Sequence, residues 1–234
     1  MYIAQKELRG LVETAGLIGK SDRTANSRLL LAGRLMRLCG ADYAASFAWN
    51  NNLQCFEEAV FENMDAGNID RYNQYFQYHD PITHNLSCFR RAVAVREVMP
   101  YKYLEKTEFF NDFLQKDGLT FGINLFVYSG EKLLFDFRLW RSKKQKDFED
   151  SKLKMLDSLM PALQSIPQSS THQVKVVPNF TPRESQVIGL LRNGMCDKSM
   201  AKTLDISVTT IRTHVRNIYE RTGVHSRTEL ISVL

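Results

Sequence analysis

The sequence predicts an α/β chain of the α+β kind: an N-terminal α-β-α sandwich on a mainly antiparallel five-stranded sheet, followed by a four-helix C-terminal domain. Two pairs of apolar β-runs, each joined by a short turn-prone sequence, call for hairpins and not for the alternating pattern of a parallel sheet. Apolar residues at three-and-four spacing place helices around those hairpins. A polar stretch with two prolines, QSIPQSSTHQVKVVPN from Gln164 to Asn179, then separates the first domain from a helical segment. The expected boundaries are 1–164 for the first domain, 165–179 for a linker and 180–234 for the second domain.

In chain order, Leu30, Leu31, Arg34, Leu35 and Leu38 define a helix over 22–39. ADYAASFAWN and LQCFEEAVF flank Asn51-Asn52 as the arms of a first hairpin. A shorter strand is expected at Ala92–Arg96. TFGINLFVY and KLLFDFRLW surround Ser129-Gly130-Glu131 as a second hairpin, with Leu133, Phe135, Phe137 and Leu139 alternating along its return arm. The basic run RSKKQK at 141–146 reads as a solvated turn. Phe148, Leu153, Leu156, Leu159, Met160 and Leu163 form the stripe of a closing helix over 147–164.

The C-terminal segment carries four helix starts. Thr181-Pro182-Arg183-Glu184 supplies an N-cap hydroxyl, a proline at the first helical position and a glutamate three residues on, so the first free amides are satisfied from both directions. Gly194 offers a left-handed stop. Asp197 is expected to cap a second helix and Ser207 a third that ends at Gly223, while Ser226 with Glu229 forms a second capping box. Only Asp205-Ile206 separates the second helix from the third, which is the tight link of a helix-turn-helix. In the third helix Val208, Ile211, Val215, Ile218 and Thr222 recur at alternating steps of three and four and face inward. The opposite face presents Thr209, Arg212, Thr213, Arg216 and Asn217, with Glu220 only in the last turn.

That face suits a DNA major groove. Arg212 and Arg216 can each grip a guanine edge with two hydrogen bonds, and Thr213 can meet a thymine methyl. Thr209 and Thr210 at the helix start, with Lys198 and Lys202 on the second helix, are placed for phosphates, and Asn217 completes the set. Charge agrees: from Lys175 onward nine basic residues face five acidic ones, so +4 of the chain's +5 lies at this end.

Other functions are disfavoured. No apolar run reaches the roughly 20 residues of a bilayer span and the N-terminus lacks a signal-peptide pattern, so a cytoplasmic protein with no membrane contact is expected. Cys39, Cys55, Cys88 and Cys196 have neither metal-ligand spacing nor a disulfide pattern, so no metal or cofactor is expected. GxSxG, HExxH and phosphate-cradling glycine loops are missing from the sequence, and an enzyme is not expected.

The C-terminal residues resemble the LuxR family, the GerE or FixJ type of DNA-binding domain. The resemblance rests on FTPRESQV at 180–187, Gly194, DKSMAKTLDIS at 197–207, TTIRTHVRNIY at 209–219 and GVHSRTEL at 223–230, with Thr222 standing where the family usually has leucine. It implies a third helix that reads DNA and a fourth that supports dimerisation, through Leu230, Ile231, Val233 and Leu234. The N-terminal region resembles the autoinducer-binding domain of quorum-sensing members, on element order, Asp80-Pro81 and the paired glycines Gly118 and Gly122. In that family the aspartate accepts the amide proton of an acyl-homoserine lactone; Asp80 here reads equally as the cap of the following turn. The family's pocket aromatics fall at Gly67, Arg71 and Val95, so a standard acyl-homoserine lactone is not the expected signal.

The remaining candidates for a ligand pocket are Tyr43, Phe47, Trp49, Phe56, Tyr75, Tyr78, Asp80, Phe89 and Trp140, whose alternative role is core packing. The expected protein is a homodimeric transcription regulator that binds a pseudo-palindromic double-stranded DNA site and answers a small signal molecule, with RNA polymerase as a further partner. The competing reading keeps the DNA module and gives the N-terminal domain only dimerisation or protein contacts.

Overall fold

A computed structural model describes residues 5–167, 180–222, 224, 226–227 and 230. Helices α1 (Gln5–Ile18) and α2 (Ala25–Cys39) precede the hairpin of β1 (Tyr43–Asn50) and β2 (Cys55–Glu62). A helical stretch follows, with α3 (Ala66–Gln74), a 3-10 turn at Phe76–Tyr78 and α4 (Thr83–Ser87). Next come β3 (Val93–Ala94), α5 (Val95–Val98), α6 (Tyr101–Leu104) and a wide π turn at Phe109–Phe113. The long hairpin β4 (Leu119–Ser129) and β5 (Lys132–Ser142) leads into α7 (Asp150–Asp157) and α8 (Met160–Gln164). The C-terminal segment holds α9 (Pro182–Arg192), α10 (Asp197–Thr203) and α11 (Val208–Thr222).

The five strands form one sheet in the order β2-β1-β5-β4-β3, with every neighbouring pair antiparallel. Side chains alternate between its faces, as a pleated strand requires. Phe135, Phe137 and Leu139 of β5 pack with Leu31 and Leu35 of α2 and with Leu156 and Leu163 of α7 and α8. Trp140 points the other way, into a second core with Phe47, Tyr72, Phe76, Phe113 and Phe126. The sandwich and its antiparallel sheet are as the sequence predicts.

Several details differ for identifiable reasons. The strand expected at Ala92–Arg96 pairs only at Val93 and Ala94. There the Glu97 carboxylate accepts the Ala94 N–H at 2.8 Å and starts a helical turn instead. The closing helix breaks into α7 and α8, with Pro161 in the first turn of the second piece, where its missing N–H is harmless. Helix α1 adds to the expected elements; only Thr14 and Ile18 along it are buried, so its apolar stripe is faint. Arg141 does not belong to a solvated turn. It donates to the carbonyls of Gly40 at 3.0 Å and Cys39 at 2.7 Å, closing the end of α2, and stacks on Phe148.

In the C-terminal segment the first capping box forms as read from sequence. The Thr181 N–H donates to Glu184 Oε2 at 2.8 Å, and the Glu184 N–H donates to Thr181 Oγ1 at 3.2 Å. Gly194 takes the left-handed conformation, φ 76°. The cap of α10 is Cys196, not Asp197, which lies inside the first turn. Glu229, Gly223, Ile231, Val233 and Leu234 lie outside the described residues. Leu230 is fully buried in the core with Val187, Leu190, Ile211 and Ile218, so it cannot supply the exposed dimer surface expected of it. Among the described residues no helix is long and apolar enough to cross a membrane.

Candidate functional site

Two places carry chemistry: the outer face of α10–α11 and a polar cluster in the second core of the sandwich. Helices α10 and α11 join through Asp205, whose backbone is left-handed at φ 51°, a conformation aspartate tolerates in tight turns. Ser207 caps α11 by accepting the Thr210 N–H at 3.0 Å, and Ile211 and Ile218 anchor the inner seam at zero exposure.

The outer face then follows from the helical repeat. Lys198, Lys202, Thr209, Thr210, Arg212, Thr213 and Arg216 are all exposed and Asn217 is half-buried, so the predicted set lies together on the surface of this helix pair. Arg212 is not free. Its Nε contacts Asp197 Oδ2 at 3.3 Å, an exposed ion pair between the reading helix and α10. Arg216 lies 3.9 Å from Glu220 one turn on. Two hydroxyls are partly committed: Thr210 Oγ1 pairs with Ser207 at 2.8 Å and Thr213 Oγ1 donates to the Thr209 carbonyl at 3.1 Å. Thr213 thus presents chiefly its methyl.

The buried cluster is centred on Arg138 of β5. Its Nε donates to Asp136 Oδ2 at 2.7 Å, and its Nη1 donates to the Tyr72 hydroxyl at 2.5 Å. The guanidinium carbon sits 4.4 Å from the ring centre of Phe47 and 4.7 Å from those of Phe56 and Tyr72, an aromatic cage around a cation. Asp136 also accepts the Phe47 N–H at 2.9 Å. Burial opposes the charge on Arg138, but Asp136 first, then Tyr72 and Asp80, hold it above its ordinary value and keep it a cation. Burial pushes Tyr72 well above the ordinary tyrosine range, so its hydroxyl stays protonated and donates to Asp80 Oδ2 at 3.3 Å.

Asp80 sits in this cluster and also caps the next turn. It accepts the N–H groups of Ile82 and Thr83, both at 2.9 Å, and the Thr83 hydroxyl at 2.5 Å. Around these groups remains a cavity of about 20 Å³, bounded among others by Phe47, Asp80, Asn124, Arg138 and Trp140. That is room for one water-sized molecule. Arg138 Nη2 and Asn124 Oδ1, cross-strand partners on β5 and β4, border the cavity and have no hydrogen-bond partner among the described residues.

The candidate aromatics divide. Phe47 and Trp140 line the cavity with Asp80, and Phe56 walls the cage. Trp49 and Tyr78 border a second cleft of about 450 Å³, which Phe56 and Asp80 also line and which reaches Gln186 of α9. Tyr43 lines another cleft with Tyr101 and Phe110. Tyr75 points outward, donating to Glu108 at 3.3 Å and stacking on His79, and Phe89 lies under Arg91, so neither meets the cavity. Sequence reading missed Tyr72, Asn124, Asp136 and Arg138. The signal was there: opposite charges two residues apart inside the apolar run of β5 must share a buried face.

Comparison with known proteins places the C-terminal residues. Residues 178–234 match the GerE model, described as bacterial regulatory proteins of the luxR family. A "Monoamine regulon transcriptional regulator" of Klebsiella aerogenes is 23% identical over 190 residues, covering 81% of this chain and 82% of that one. The "HTH-type transcriptional regulator MalT" of Yersinia pestis is 45% identical over 52 residues, 22% of this chain but only 6% of that relative's length. Among solved structures, "SdiA in complex with octanoyl-rac-glycerol" aligns over 100% of this chain and 96% of that one, at TM-score 0.49 and 14% identity. The match over residues 178–234, together with the helix-turn-helix that the described residues among them build, makes this segment a DNA-binding domain of the luxR family's GerE type.

Proposed function

We propose that this chain acts in the cytoplasm as a homodimer that reads a pseudo-palindromic DNA site through α11, under the control of a small molecule sensed in the N-terminal sandwich. The observation that carries the DNA reading is the exposed Arg212–Arg216 face on a helix whose other side is sealed by Ile211 and Ile218. Arg212 and Arg216 read bases, Lys198 and Lys202 hold phosphates, and a two-fold dimer sets the half-site spacing at about one DNA turn. The test is selection of duplexes from a random library. Arg212→Ala with Arg216→Ala is expected to lower the ratio of selected to random duplex affinity by at least about tenfold per arginine. An unchanged ratio in a folded protein overturns the assignment.

For sensing, the two unpaired polar atoms border space for one water-sized molecule, so a larger ligand that offers Arg138 an acceptor and Asn124 a donor has to widen the cavity. The relative's name concerns a monoamine regulon, so monoamines head the screen. A saturating ligand, at about a hundred times its dissociation constant, stabilises the chain by about 2.7 kcal/mol in a thermal-shift assay. One observation favours the second reading, in which the domain works without a ligand: Arg138 already fills the cage with a cation of the chain's own. A screen without any stabilising molecule decides for that reading.

A further inference from the structure

Helix α9 is the first helix of the DNA-binding domain, yet one of its faces rests on the sandwich. Gly189 marks the place. A Cβ there would lie 2.7 Å from the Tyr78 hydroxyl and 3.6 Å from Cys55 Sγ, and both neighbours belong to the N-terminal domain. The absent side chain therefore serves docking, not the core of the DNA-binding domain. Around it Ser185 Oγ donates to the Asn52 carbonyl at 2.7 Å, Arg192 pairs with Glu57 at 2.7 Å, and Asn193 Nδ2 donates to the Asn73 carbonyl at 3.2 Å. Leu53 and Cys55 share one apolar cluster with Val187 and Ile188.

The segment under α9 is also a wall of the cage. Between Tyr72 and Asp80, the Tyr72 hydroxyl and the Asp80 carboxylate hold Arg138, whereas Asn73 and Tyr78 meet α9. Gln77 locks this segment to β2, accepting the Phe56 N–H at 3.0 Å while its Nε2 donates to the Asn73 carbonyl at 2.6 Å. The contact is not tightly closed: Tyr78 Oη and Asn73 Oδ1 have no partner among the described residues, and both residues line a cleft of about 280 Å³ that Gly189 and Arg192 also border, so the two domains meet with space left between them. Meanwhile Arg212, Arg216, Lys198 and Lys202 stay exposed, so docking fixes where the DNA-reading face points without covering it.

We infer that the face formed by Asn52–Glu57 and Asn73–Tyr78 is a releasable dock for α9, and that the Tyr72–Asp80 segment transmits the state of the Arg138 cage to it. Transmission rests on the sensor reading proposed above; the dock itself does not. The experiment uses the full chain, small-angle scattering for compaction and a selected duplex for affinity. Gly189→Leu puts a good helix former in place of a poor one in α9 and has no room against Tyr78, so the radius of gyration is expected to rise and duplex affinity to fall by about tenfold, the loss of a fixed geometry between linked heads. Tyr78→Ala added to Gly189→Leu vacates the matching volume and is expected to restore both. Should Gly189→Leu lose its helical signal, the ion pair decides: Arg192→Glu opens the dock and Arg192→Glu with Glu57→Arg recloses it.

Tyr72→Phe, which removes the hydroxyl between Arg138 and Asp80, is expected to open the dock as well. Compact scattering from Gly189→Leu or Arg192→Glu, or paired variants that stay open, overturns the dock. Compact scattering from Tyr72→Phe overturns the transmission. Scattering needs no DNA, so failure of the DNA reading leaves this result standing separately.

Discussion

Arg138 shows how much of this molecule turns on single buried charges. A guanidinium enclosed by three rings is tolerable only because Asp136 pairs with it at 2.7 Å and Tyr72 shares its charge. Replacing it with methionine leaves Asp136 buried and unpaired, a change expected to cost about 3–5 kcal/mol in urea unfolding. Adding Asp136→Asn keeps an acceptor for the Phe47 N–H, removes the stranded charge and is expected to recover most of that loss. The deficit of the single variant also narrows on acidification. Burial already pushes the Asp136 carboxyl upward, and a proton taken up there cancels the unpaired charge. A loss that persists in the double variant, or that does not vary with pH, would assign Arg138 a packing role alone. Residues of this kind were legible only in part: Asp80 was marked by its proline, while Asp136 and Arg138 sat between the alternating apolar residues of β5, where their opposite charges on one face went unread.

Elements were more legible where local chemistry decides them. The Thr181–Glu184 box, the Gly194 stop and the Ser207 cap all form because each satisfies backbone groups within four residues of itself. Where a distant partner intervenes the reading fails, as when Arg141 turns inward to close α2, about a hundred residues away in the chain; β3 ends early for a local reason, the Glu97 carboxylate three residues beyond Ala94. The box yields a prediction of its own. Thr181→Ala is expected to cost about 1 kcal/mol. Burial tends to raise the Glu184 carboxyl, but the Thr181 N–H and hydroxyl, then Arg221, outweigh it and hold the group below its ordinary range. A depressed carboxylate contributes stability above its unfolded value of about 4.3, and that contribution disappears as pH falls through the lower, folded value. Thermal melts of the full chain should therefore lose part of their stability on acidification below about pH 4, and Glu184→Gln should remove that portion of the slope. Identical acid limbs in the two proteins would show that the carboxylate contributes nothing as a charge.

For the whole molecule, a polar, proline-containing stretch that interrupts two different hydrophobic periods is the sequence's ground for expecting two domains, and 168–179 of that stretch lie outside the described residues; the docking of α9 was not readable, since it depends on an absent side chain at Gly189. Charge is likewise a property of the whole. Most of the net +5 lies from Lys175 onward, and the exposed lysines 198 and 202 flank the reading helix without touching its arginines' base-reading face. Binding that neutralises phosphates releases counterions, so the logarithm of affinity falls against the logarithm of salt by about 0.9 for each phosphate neutralised. Lys198→Gln with Lys202→Gln is therefore expected to flatten that slope by roughly 2 per reading head, by the same amount on selected and random duplexes. Arg212 and Arg216 should behave differently, lowering the ratio between the two duplexes more than the affinity for random DNA. Titration by fluorescence anisotropy at several salt concentrations separates these roles. An unchanged slope in the lysine variant would mean that α10 faces solvent in the complex, and the orientation of the helix pair on DNA would have to be turned about the axis of α11.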